Sequence, residues 1–183
     1  MTMCLEEKLR AASSEQYGSD YGPHLLEQYK LYVEMTERIS QRRQTANGFG
    51  LSINTALLGL VGLVASRCTR DQVLLIIVVI SLAGILISYG WYRLLCSYRD
   101  LNTAKFAVIH AIEAWLPIAP FRAEWSAAGE GKNPKLYRPF THVEVWIPRA
   151  FVFTYILAFS YAIIMLFVQV ARSGGGPLPP PQP

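Results

Sequence analysis

Four side chains in this 183-residue chain have the types that metal ligation or acid–base work needs. His110 and Glu113 stand three residues apart, and His142 and Glu144 two apart. Imidazole and carboxylate together suit a borderline divalent cation, so the four are a candidate metal set. A carboxylate holding a histidine-bearing helix against a loop would use the same residues, and the spacing selects neither reading. His24 has no partner in sequence, and Cys4, Cys68 and Cys96 are too few and too scattered for a disulfide framework. There is no phosphate-binding glycine loop, dinucleotide fingerprint or Gly-x-Ser-x-Gly elbow. No cofactor and no catalysis are therefore expected, and a membrane enzyme stands third among the functional readings.

A second constellation lies in an apolar stretch. Plotted at about 100° per residue, Gly48, Ser52, Thr55, Ala56, Gly59, Gly62 and Ser66 share roughly a third of a helix circumference. Small residues let helix backbones approach closely in lipid, where packing replaces the hydrophobic effect. Contact with the next helix of the chain would suffice for that face. Asn47 and Asn54, seven apart, fall on the opposite side, and an amide facing lipid is costly. The expectation is homo-oligomerisation, with Asn54 at a subunit contact or lining a central lumen, contact being the commoner use of an intramembrane Asn.

The elements that must carry these residues are set by charge. Only 16% of the chain is charged against 52% hydrophobic, well short of the ~25% charged in soluble domains. The deficit is local. Positions 44–66, 72–92 and 150–171 hold no charge at all, and each window meets the ~20 residues a membrane helix needs. Residues 1–46 carry 13 charges and no apolar signal region, so the first span is expected to be an uncleaved anchor. Fourteen of the 17 Lys and Arg residues lie in 1–43 and 93–149. That asymmetry predicts a cytoplasmic N-terminus and an external C-terminus. The net charge of +4 then records topology and contact with membrane lipids; Glu124 and Glu130 among the basics of 121–140 argue against nucleic acid.

Between these windows the expected organisation is all-α. Residues 1–23 read as a loose leader. From 24 a helix with Leu25, Tyr29, Tyr32, Val33, Thr36 and Ile39 on one face runs to 66, its span at about 46–66. Lys30–Glu34 and Glu34–Arg38 pair on its wet side. A second helix covers 72–116, spanning at 72–92 and presenting Leu94, Tyr98, Leu101, Lys105, Ile109 and Ile112 until Pro117 stops it. A compact cytoplasmic cap follows at 117–147, where Thr141 and Glu144 fit a capping box. The third span occupies 148–171, and the Gly/Pro-rich tail 172–183 is expected to be disordered.

Three runs make the chain familiar: EQYKLYVEMTERISQRRQTANGFGLSINTALL, SYRDLNTAKFAVIHAIEAWLPIAPFRAEW and GKNPKLYRPFTHVEVWIP. Over about residues 27–165 the sequence resembles the RipA-like family of octameric bacterial membrane proteins. Lys105, His110, Glu113, Glu124, Trp125, Thr141 and Glu144 of the cap region fall on that pattern, as do Asn47 and Asn54. The Gly/Pro-rich tail and the small Ala107 and Ala111 depart from it. The resemblance implies a homo-octamer in the cytoplasmic (inner) membrane, associated with envelope function. The hairpin preceded by a Tyr-rich helix and Arg42-Arg43 is also similar, to a lesser degree, to SLATT domains, which implies pore-forming effector activity. The combined expectation is a ring-forming protein of three transmembrane helices, channel-like or membrane-perturbing and gated by a signal or cytoplasmic protein at the cap. The alternative is a non-conducting scaffold or regulator of envelope components.

Overall fold

Backbone inside hydrocarbon must satisfy its own N–H and C=O groups, so long uncharged windows become helices. The computed structural model describes residues 5–133 and 144–174, and every element among them is helical. In order they are α1 (Leu5–Leu9), α2 (Ser14–Tyr17), α3 (Tyr21–Ala65), α4 (Arg70–Glu113), α5 (Pro120–Ala127), a 3-10 turn at Gly129–Gly131, and α6 (Trp146–Gly174). Helices α3, α4 and α6 are each long and apolar enough to cross a membrane. At 1.5 Å per residue the 45 residues of α3 reach roughly 65–70 Å. That is twice the ~30 Å hydrocarbon thickness, so more than half of α3 lies outside the core.

The chain divides into two compact units, Met1–Ala46 with Leu94–Glu144, and Asn47–Arg93 with Val145–Pro183. Helices α3 and α4 contribute to both. In the first unit Tyr29 meets Glu113 and Tyr32 meets Lys105, so α3 and α4 run antiparallel. In the second, Asn47 meets Trp91 and Asn54 meets Ser88, again antiparallel. Helix α6 returns along α4, with Phe151 against Trp91 and Gln169 bonded to Asp71 at 2.8 Å.

Several sequence-based boundaries shift. The leader is partly ordered: Ser13 caps α2 through a reciprocal pair of bonds with Gln16, and Gly18 ends it at a φ of 86° that disfavours any side chain. Helix α3 begins at Tyr21 and keeps Pro23 in its first turn, where the missing N–H is an orphan anyway. Its half-buried positions Leu25, Tyr29, Tyr32, Val33 and Ile39, with buried Thr36, form the stripe read from the sequence. On the wet side Lys30 pairs with Glu27, not Glu34, at 2.9 Å, while Arg38 takes Glu34 at 2.7 Å. On the expected face of α4, Lys105, Ile109 and Ile112 are buried, and the departure is confined to the first turns of that face. Leu95 is sealed, whereas Leu94 and Leu101 are 43% and 47% exposed. Thr141, His142 and the end of the tail, 175–183, lie outside the described residues.

Candidate functional site

Within the second unit a polar node joins the three spans. Asn54 on α3 is fully buried. Its amide nitrogen donates to the carbonyl of Gly50 one turn earlier at 2.8 Å, and its Oδ1 accepts from the Ser88 hydroxyl of α4, also at 2.8 Å. From α6 the Tyr155 hydroxyl donates to the Asn54 backbone carbonyl at 3.3 Å. Two glycines make this approach possible. A Cβ on Gly50 would lie 2.4 Å from the Trp91 ring, and one on Gly84 2.4 Å from the Tyr155 ring. Trp91 also donates its indole N–H to Asn47 Oδ1 at 3.0 Å. Each span therefore contributes a polar group and a steric fit, and an unmade partner in lipid would be expensive.

These contacts reverse the expected faces of the first span. Asn47, Gly50 and Asn54 are the side that meets the rest of the chain. Asn54 has both ends of its amide engaged by groups of its own chain, Gly50 and Ser88. The small-residue side is open: Ser52 and Ala56 are exposed, and a Cβ on Gly48, Gly59 or Gly62 would meet nothing within 4 Å. The physical reason is bulk. Trp91 and Tyr155 need a recess to enter, and Gly50 and Gly84 supply it. Ser81, Gly84 and Ser88 lie three and four apart in the aliphatic run of α4, a readable stripe that sequence reasoning passed over.

In the first unit a second node forms around Glu113. Its carboxylate is 2% exposed and accepts the backbone N–H groups of Phe121 at 2.9 Å and Arg122 at 3.0 Å. Ala119, at the N-cap of α5, has no side chain able to do this. Glu113 thus caps α5 from another helix and sits at its positive dipole end. Tyr29 adds its hydroxyl at 3.1 Å, and Arg122 donates its guanidinium to the His110 carbonyl. With Oε1 and Oε2 both engaged, Glu113 serves as a cap for α5. His110 stands with its ring against Phe106, and no group of three metal-ligating side chains occurs among the described residues.

The other cap residues are dispersed. Lys105 is buried with its ammonium 4.3 Å from the Tyr32 ring centroid. Glu144 lies 3.6 Å from Arg43 in a largely buried ion pair. Glu124 is exposed and Trp125 is 41% exposed. His24, partnerless in sequence, meets the Tyr17 hydroxyl at Nδ1, 2.9 Å away.

Compared with known proteins, residues 26–164 match a family described as "Octameric membrane protein family (8xMP)". No curated protein and no solved structure matches the chain.

Proposed function

The chain belongs to the octameric membrane protein family (8xMP), and from that premise we propose that it is the subunit of a closed, non-conducting ring in the bacterial inner membrane that scaffolds envelope components. The observation that carries this reading is the open small-residue face of α3. Gly48, Ser52, Ala56, Gly59 and Gly62 permit close helix approach, yet nothing among the described residues uses it. Helix–helix contact between neighbouring copies is the use such a face has in lipid. Ser52 and Thr55 give their hydroxyls to the Gly48 and Leu51 carbonyls at 2.8 and 2.9 Å, so the face presents no unmet hydroxyl donor to an apposed helix.

The channel-like or membrane-perturbing reading had its support in Asn54, whose amide is spent within the subunit. It survives in one form, with the Ser52 and Thr55 side as the lumen wall. No catalysis is proposed, because the carboxylate best placed for it, Glu113, works as a helix cap. The excess of Lys and Arg in 1–43 and 93–149 supports a cytoplasmic N-terminus and an external C-terminus.

Gly59→Leu decides between contact and lumen, because it adds bulk where the subunit has none. Measured by light scattering in detergent and by dye release from liposomes, the variant should keep its helicity and lose the octamer. An octamer that persists while a wild-type flux disappears would instead make this face a pore wall.

A further inference from the structure

The uncharged window 72–92 ends at Arg93, and the window 150–171 begins after Arg149. These two guanidinium groups therefore close the spans of α4 and α6 at one membrane face. Arg149 donates from Nη2 to the Tyr92 hydroxyl oxygen at 2.8 Å, which sets both at one level. Its Cζ lies 4.8 Å from the Tyr92 ring centroid and 5.6 Å from that of Trp146. The guanidinium of this exposed residue stands close to two rings, and only one of its five N–H donors is used in a described bond. Tyr92 accepts that bond and keeps its own O–H to give. The Trp146 indole N–H and the exposed Arg93 have no acceptor among the described residues. The acid nearest in sequence, Glu144, is engaged by Arg43. Among the described residues the patch is a set of donors lacking an acceptor, at the charged ends of two apolar windows.

We propose that Arg149, Tyr92 and Trp146 form a preformed clamp for the phosphate of an anionic phospholipid. The guanidinium fork takes two phosphate oxygens, and the Tyr92 O–H a third. Trp146, 66% exposed, occupies the interfacial level where indoles concentrate. One turn further along α6 the exposed face continues through Phe153, Ile156 and Leu157, an apolar track for an acyl chain. That track is what separates a lipid from free phosphate. No carboxylate among the described residues partners the patch, which disfavours the quaternary ammonium of a choline headgroup.

The test uses the delipidated full chain in non-ionic detergent, with bound lipid counted by native mass spectrometry. Phosphatidylglycerol, phosphatidylcholine and inorganic phosphate are the three probes, and oligomer mass is read in the same spectra. Arg149→Gln should weaken phosphatidylglycerol retention about tenfold and leave phosphatidylcholine adducts and subunit number as in the wild type. Inorganic phosphate at matched concentration should not displace the lipid. Equal phosphatidylglycerol retention by wild type and variant overturns the clamp, and displacement by inorganic phosphate overturns its lipid specificity. If Arg149→Gln yields no helical protein, Arg149→Lys keeps the charge without the fork. An intermediate loss is then expected, and wild-type retention overturns the proposal.

Discussion

Tyr29 joins two elements through one hydroxyl, and its acidity reports the bond. Burial first, then the hydrogen bond to Glu113 and that carboxylate's charge, push its pKa up to about 12 from the ordinary 10.0. Because the folded value is the higher one, the stability linked to it is complete below about pH 10 and is lost as pH rises through about 12. The ultraviolet difference titration between wild type and Tyr29→Phe should therefore show one phenol ionising near 12, and Glu113→Gln should return it toward the ordinary value. A difference signal at the ordinary value in the wild type would mean that the Tyr29 hydroxyl is neither buried nor bonded to Glu113. At this scale the sequence was half legible. The spacing of His110 and Glu113 marks them as neighbours able to hold a helix to a loop. Nothing in their spacing showed that the helix held would be α5, or that backbone N–H groups would be what Glu113 binds.

Each long helix announces itself through its uncharged window, but which of its faces pairs with which is settled by bulk. Gly84 is where this can be measured. An added methyl there runs into the Tyr155 ring, a residue 1% exposed with no room to retreat. Gly84→Ala should destabilise the fold by about 1–3 kcal/mol, the usual cost of overpacking, in a thermal or denaturant scan of helicity. Gly62→Ala, with open space at its Cβ, should leave the isolated subunit unchanged. Equal effects of the two would place Gly84 away from Tyr155. Small residues on both faces of α3 look alike in a sequence, because smallness permits approach without naming the partner. Only the positions of Trp91 and Tyr155 show that Gly50 and Gly84 are used inside the subunit.

For the whole molecule, the proposed topology leaves the short turn between α3 and α4 on the external face. Cys68 lies in that turn and is exposed. With Cys4 and Cys96 replaced by Ser, a membrane-impermeant maleimide should label Cys68 from outside intact cells whose outer barrier has been made permeable. Labelling only after lysis of the inner membrane would invert the topology. By itself the sequence determined three apolar helices, their approximate ends and the side on which basic residues gather, because the cost of burying charge in hydrocarbon is paid residue by residue and is legible residue by residue. The tertiary structure alone decided that Asn54 bonds to Gly50 and Ser88, that Glu113 caps α5, and that no described residue covers the small-residue face of α3. Those outcomes depend on which bulky ring or backbone N–H arrives from a distant part of the chain, and no local spacing encodes that arrival.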